Sequence, residues 1–261
     1  MRVELSERWV RALCDDVVVV DTRRPLLFWE DVFPVPGYAF DAADVRTDLL
    51  RPSELPGPST PFFFQPKGAV SQWFDLRVGT RTVPHAAWVR DDPALEGRLV
   101  LSWQPGVLDR WLEEDEEVSG HPRDPRKRVD ALPSSRRVVV SLDGLELARS
   151  ERPVLLFETD LPTRFYLPRE DVHLDRLVPG AGSSHCPYKG YAREYWDLPA
   201  TDGREPVTGI AWSYADPYPA VHAVAGRIAF YDELVDVELD GEPRPRPRSV
   251  FSEEENRPTS A

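Results

Sequence analysis

The sequence has few cysteines, no long apolar run and no excess of basic residues. Cys14 and Cys186 are the only cysteines among 261 residues, so a disulfide framework is excluded and reduced thiols in the cytoplasm are expected. No apolar run suits a signal peptide or a membrane span. The formal net charge of -13 argues against nucleic-acid or membrane partners, which need a basic face. A small molecule is the expected partner, and the sequence does not indicate an oligomeric state.

Lysine is also scarce, because arginine supplies nearly all of the positive charge. The only lysines are Lys67, Lys127 and Lys189. Two of them precede a glycine, in PKG at 66–68 and in YKG at 188–190. This coincidence indicates an internal repeat.

The repeat extends over most of the chain. Four segments match in the same order: RPLLFWE with RPVLLFE, DVRTD with DVHLD, PKG with YKG, and AWVRDDP with AWSYADP, beginning at residues 24, 44, 66 and 87 and at residues 152, 171, 188 and 211. The period is far longer than that of a solenoid, so each copy is a domain. We predict a degenerate first repeat at 1–118, a linker at 119–136, a second repeat at 137–240 and a disordered tail at 241–261.

Local patterns predict a mostly β fold of antiparallel strands with one helix in each copy. Asp143 and Gly144 lie between two apolar stretches, which is typical of a hairpin. Residues 154–158 and 163–167 form a second predicted hairpin, and 207–212 and 235–239 are further predicted strands. The apolar stripe of 219–234, which begins with proline, predicts a helix.

These residues resemble a bacterial family. The segments at 152–158, 165–172, 185–190, 195–196 and 211–214 are similar to the family called domain of unknown function 427, and the linker resembles its tandem form. The resemblance implies two tandem domains like the β-tent. The family is also labelled nucleotidyltransferase-like, but the sequence has neither a Gly-Ser turn with paired carboxylates nor a glycine-rich phosphate loop. It also lacks the paired C-x-x-C knuckles of several β-tent domains, so we expect no metal and no cofactor.

The second repeat carries the candidate site. The Cys186 thiol is a nucleophile if a nearby cation or base lowers its pKa, and otherwise a small buried apolar group. Lys189 could hold an anion or move a proton, or could be a surface lysine beside a turn. Aromatic residues with polar atoms are typical of small-ligand pockets, although some of them must form the core. The predicted catalytic residues are Tyr214, Cys186, His185 and Lys189, and the predicted ligand-binding residues are Tyr166, Arg169, Tyr188, Tyr195, Trp196, Trp212 and Glu158.

Comparison of the two copies refines these candidates. Lys67 and Trp88 have counterparts in the second repeat, so Lys189 and Trp212 could belong to the scaffold. His185, Cys186, Tyr188 and Tyr214 are not retained in the first repeat, where Arg90 stands at the position of Tyr214, so these four are the better candidates for functional residues. Three functions stay open: a metal-independent enzyme acting on a small polar or anionic metabolite, a non-catalytic module that binds such a ligand, and nucleotidyl transfer.

Overall fold

The structure is a computed structural model that describes residues 1–31, 33–53, 62–201 and 203–252, without the side chains of Phe62 and Val250. The chain divides into two compact units, Met1–Pro125 and Arg126–Ala261. Antiparallel strands dominate both units, which confirms the mostly β class. The helices of the described residues are all short 3-10 segments: Ala42–Asp44, Thr47–Leu49, Phe62–Phe64, Pro93–Leu95, Arg169–Asp171, Leu174–Arg176, Pro219–Val224 and Val250–Ser252.

The first unit contains two sheets. Its strands are β1 (Arg2–Leu5), β2 (Val10–Cys14), β3 (Val17–Thr22), β4 (Leu26–Trp29), β5 (Gly37–Phe40), β6 (Leu50–Pro52), β7 (Val70–Val78), β8 (Arg81–Arg90), β9 (Leu99–Leu101), β10 (Arg110–Glu113) and β11 (Glu116–Val118). A seven-stranded sheet has the order β1-β4-β5-β9-β8-β7-β6. A four-stranded sheet has the order β11-β10-β2-β3.

The second unit repeats this arrangement. Its strands are β12 (Val129–Pro133), β13 (Val138–Leu142), β14 (Leu145–Ser150), β15 (Val154–Glu158), β16 (Arg164–Tyr166), β17 (Val178–Gly180), β18 (Ser184–Cys186), β19 (Gly190–Ala192), β20 (Glu194–Leu198), β21 (Val207–Ser213), β22 (Ile228–Phe230), β23 (Asp236–Leu239) and β24 (Glu242–Arg244). Backbone bonds between Leu167 and Ile228 join β12-β15-β16 to β22-β21-β20-β17, and we call the joined sheets the wide layer. The order β24-β23-β13-β14 matches the small sheet of the first unit, and β18-β19 is an additional hairpin.

The duplication extends to individual hydrogen bonds. The Thr22 hydroxyl donates to Asp44 at 2.7 Å, and the Ser150 hydroxyl donates to Asp171 at the same distance. The first hairpin of each unit also carries a bulge at the equivalent position. The two units are therefore copies of one domain.

The predicted hairpins are confirmed, but the predicted helix is largely wrong. β13 pairs with β14 across the turn at Asp143 and Gly144, and β15 pairs with β16. The predicted helix at 219–234 is a six-residue 3-10 segment followed by strand β22. Successive residues of β22 pack in two different cores, so every position of the strand is apolar. A short apolar run of this kind cannot be distinguished by its pattern from the apolar face of a helix.

The predicted linker and tail also contain regular structure. Strand β12 lies within the predicted linker and pairs with β15 in the second unit. Strand β24 lies in the predicted tail, where the Phe251 ring also packs 5.7 Å from that of Tyr231. The described part of the predicted tail thus contains a strand and a packed aromatic ring, and residues 253–261 lie outside the described part of the chain.

The wide layer separates two cores in the second unit. One core lies between this layer and the small sheet and contains Phe165 and Trp196. The other lies on the opposite face, contains Tyr166 and Tyr195, and is covered by the 3-10 helix Pro219–Val224. Because side chains alternate along a strand, neighbours such as Tyr195 and Trp196 belong to different cores. The candidate site lies in the second of these cores, which we call the tyrosine core.

Candidate functional site

A buried ion pair lies at the centre of the candidate site. Glu158, the last residue of β15, contacts the Lys189 ammonium, which comes from the turn of the β18–β19 hairpin. The Glu158 and Lys189 side chains are 7% and 12% exposed. Burial alone would lower the pKa of Lys189, but the neighbouring Cys186 and Glu158 outweigh it and raise that pKa above its ordinary value. Lys189 therefore stays charged at neutral pH and is a poor general base.

The β18–β19 hairpin positions Lys189, and its geometry requires Gly190. The turn comprises residues 187–189, and half-buried Tyr188 is its middle residue. The backbone N–H of Lys189 donates to the Cys186 carbonyl, and its own carbonyl accepts from Tyr218 at 3.0 Å. Gly190 has a φ of +97°, which only glycine adopts readily, and it pairs with Pro217. The retained glycine thus fixes the lysine against the segment that follows β21.

Five aromatic residues with polar atoms belong to the tyrosine core, and two of them, Tyr166 and Tyr214, interact electrostatically with the ion pair. The five are Tyr166, Tyr195, Trp212, Tyr214 and Tyr231. The Trp212 indole donates to the Tyr166 hydroxyl at 3.2 Å, and the Tyr195 hydroxyl bonds both Ser184 and Tyr231. Burial raises the pKa of the Tyr166 and Tyr214 hydroxyls, so both stay protonated. At neutral pH these two hydroxyls can therefore donate hydrogen bonds, but they do not act as bases.

An open cleft of about 450 Å³ lies beside the hairpin. Its lining combines aromatic faces with a carboxylate and an imidazole, from Gly190, Tyr191, Asp216, Pro217, Tyr218, Pro219 and His222. His185 adjoins it, with Nε2 3.2 Å from the Tyr218 hydroxyl and its ring 4.2 Å from that of Tyr191. We call this space the second cleft, because it lies in the second unit.

Two predicted ligand-binding residues lie elsewhere. Trp196 packs in the core between the wide layer and the small sheet, on the face opposite Tyr195. The Arg169 guanidinium lies 5.1 Å from the Trp196 ring and pairs with Glu194 at 2.8 Å. Arg169 and Lys189 were both expected to hold an anionic ligand, but each already contacts a protein carboxylate.

A second buried ion pair was not predicted from the sequence. Arg164 donates two hydrogen bonds to Glu233, at 2.6 and 2.7 Å, and its guanidinium lies near the Trp212 and Tyr231 rings. Asp232 lies 3.8 Å from the same guanidinium. Arg164 and Glu233 are 69 positions apart in the sequence. Both acidic residues, Asp232 and Glu233, lie in the segment that was predicted to be a helix.

Asp232 should make the stability of the second unit depend on pH. Burial raises the pKa of Asp232 to about 7, from 3.8. The folded state therefore binds a proton that the unfolded state has released between these values, so stability decreases as pH rises from about 4 to 7. We expect the wild type, relative to Asp232→Asn, to lose about 2–4 kcal/mol between pH 5 and pH 7.5. Hydrogen exchange of β22 at both pH values measures this difference, and equal losses in both proteins would contradict it.

The first unit neutralises its equivalent glutamate from a different position. When the strand pairings of the two units are aligned, Glu30 is equivalent to Glu158 and Arg90 is equivalent to Tyr214. Glu30 contacts the Arg90 guanidinium, and both side chains are buried. The same carboxylate is thus held by an arginine from β8 in one copy and by a lysine from the β18–β19 turn in the other.

A group of potential metal ligands in the first unit already holds a cationic side chain. The ligand atoms of Cys14, Asp15 and Asp109 lie within 4.8 Å of one another. The Arg81 guanidinium lies 2.9 Å from Asp15 and 2.8 Å from Asp109. We therefore assign this group to an arginine–carboxylate network.

Fold and site together define a mostly β domain, present twice, in which a buried glutamate at the end of β15, or directly after β4, contacts a cationic side chain. The family model for the domain of unknown function 427 matches residues 2–103 and 130–241. The chain therefore belongs to that family and is a tandem member of it. A comparison with curated protein sequences found no match. No helix in the described ranges is long and apolar enough to cross a bilayer.

Proposed function

We propose that the second unit binds a small polar ligand in the second cleft. The observation that carries the proposal is the combination of an open space of about 450 Å³ with aromatic faces, the Asp216 carboxylate and the His222 imidazole. Flat side chains with a few fixed polar groups are the usual lining of a small-molecule site. The Glu158–Lys189 pair anchors the turn that precedes Gly190, and Gly190 lines the cleft.

Binding is favoured over acid–base catalysis by the buried groups. Tyr214 and Tyr166 hold their protons, and Lys189 stays charged, so none of them readily accepts a proton at neutral pH. Catalysis on the bound ligand is the second candidate, because His185 and the Tyr218 hydroxyl form a hydrogen-bonded pair beside the cleft. Loss of turnover in His185→Gln, with binding retained, would favour this second candidate.

Ligand retention tests the proposal. The full chain is incubated with a mixture of amino acids, organic acids and nucleosides and is then analysed by native mass spectrometry, which also detects any co-purified ligand. We expect the wild type to retain a compound that the double variant Tyr191→Ala, His222→Ala binds at least tenfold more weakly, because the variant loses a stacking face and a polar group.

His173→Ala is the matched control. It removes a half-exposed histidine that pairs with Glu146 and does not line the cleft. The control should retain the compound as the wild type does. The proposal fails if no compound distinguishes the wild type from the cleft variant.

A further inference from the structure

The second cleft contains a carboxylate that the protein does not neutralise. Asp216 lines the cleft and is exposed to solvent. Within the described ranges its side chain forms no ion pair and accepts no hydrogen bond. The lining contains neither arginine nor lysine in that part of the chain. The charge of this carboxylate is therefore available to a ligand.

Comparison of the two copies explains why Asp216 is not used as a helix cap. Its counterpart Asp92 accepts a hydrogen bond from the backbone N–H of Ala94 at 2.9 Å and so caps the short helix that follows. The equivalent N–H in the second unit is that of Tyr218, and it donates to the Lys189 carbonyl at 3.0 Å instead. The β18–β19 turn has thus taken the donor that the aspartate uses in the first unit.

The aromatic rings of the cleft also suit a positive charge. A cation is attracted to the electron-rich face of a tyrosine ring. The Arg193 guanidinium lies 5.0 Å from the centre of the Tyr191 ring, so this ring already interacts with one cation. Arg193 itself lies outside the lining of the cleft, and the Tyr218 ring supplies a further aromatic face. The formal net charge of -13 attracts cations to the chain as a whole.

We propose that the second cleft binds a small alkylammonium cation, with Asp216 opposite its charge and the Tyr191 and Tyr218 rings against its alkyl groups. This inference rests on the proposed function and adds the charge of the ligand. The two basic residues that were expected to hold an anion already contact protein carboxylates. An anion in the cleft would be repelled by Asp216, and no arginine or lysine of the described lining offsets that repulsion.

Three probes of the same shape test the charge of the ligand. Choline, the neutral alcohol 3,3-dimethyl-1-butanol and the anion 3,3-dimethylbutyrate are titrated against the full chain, and binding is measured by ligand-observed NMR. We expect choline to bind saturably and at least tenfold more tightly than the alcohol, because only the cation is attracted by both the carboxylate and the rings. The anion should bind more weakly than the alcohol.

Two variants with opposite changes of charge test the residues. Asp216→Asn keeps the size of the side chain but removes its charge, so choline should bind about tenfold more weakly while the alcohol binds as before. Arg193→Gln removes a competing cation from the Tyr191 ring and should strengthen choline binding. Asp143→Asn is the matched control, because it removes the same charge in the β13–β14 turn, and it should bind choline as the wild type does.

The outcomes separate the charge of the ligand from the existence of the site. The inference is overturned if choline does not bind saturably, if the alcohol or the anion binds as tightly, or if Asp216→Asn binds choline as well as the wild type does. Binding of the alcohol or the anion that is lost in the double variant Tyr191→Ala, His222→Ala would overturn the charge and still support the second cleft as a ligand site. If none of the probes binds, the inference fails, and retention from the ligand mixture decides the proposed function by itself.

Discussion

Replacing Lys189 with methionine should destabilise the second unit by about 3–5 kcal/mol, because the Glu158 carboxylate would remain buried without a cation. The low exposure of both side chains places the pair among buried ion pairs, where removing one partner is far more costly than at the surface. Hydrogen exchange of β15 measures the loss, and we expect exchange about 100-fold to several thousandfold faster.

Two further variants identify the cause of this loss. Adding Glu158→Gln to Lys189→Met should recover much of the stability, because the orphaned charge is removed. Arg136→Met, which breaks a half-exposed pair with Asp240, should leave the exchange of β15 nearly unchanged. If Lys189→Met also leaves exchange unchanged, the buried pair does not stabilise the fold.

Replacing Arg164 with methionine should cost a similar amount, about 3–5 kcal/mol, because Glu233 loses a bidentate partner. Burial would raise the pKa of Glu233, but the Arg164 hydrogen bonds outweigh it and hold that pKa below its ordinary value. Asp232 faces the same guanidinium and is largely protonated at pH 5. The loss should therefore be larger at pH 7.5 than at pH 5.

Urea unfolding of Arg164→Met at both pH values measures this effect. The control is Arg164→Met combined with Glu233→Gln, which removes the unpaired carboxylate and should regain part of the stability. Equal losses at the two pH values would show that Asp232 is not coupled to Arg164.

The sequence predicted the local and repeated features of this protein. The hairpin at Asp143 and Gly144 depends on a turn whose chemistry is local, and the tandem organisation depends on direct comparison of the two halves. The helix prediction was wrong because β22 is buried on both faces and has no polar alternation.

The composition of the site was only partly predictable. Glu158 and Lys189 were both candidates, but their contact joins residues 31 positions apart, and no local pattern indicates it. Tyr195 and Trp196 are adjacent in sequence, and only the structure shows which of them lies in the tyrosine core. Tyr231 belongs to that core but was hidden within the predicted helix.

In each copy an equivalent buried glutamate contacts a cation, but the cation comes from a different position of the fold: Arg90 of β8 in the first unit and Lys189 of the β18–β19 turn in the second. Transplanting the arrangement of the first unit into the second tests it most directly, by adding Tyr214→Arg to Lys189→Met and following hydrogen exchange of β15. Gly190 corresponds to Gly68, and in the first unit the Arg90 guanidinium lies beside Gly68. We expect the double variant to be more stable than either single variant, because Glu158 again has one cationic partner and only one. A double variant no more stable than Lys189→Met alone would contradict it.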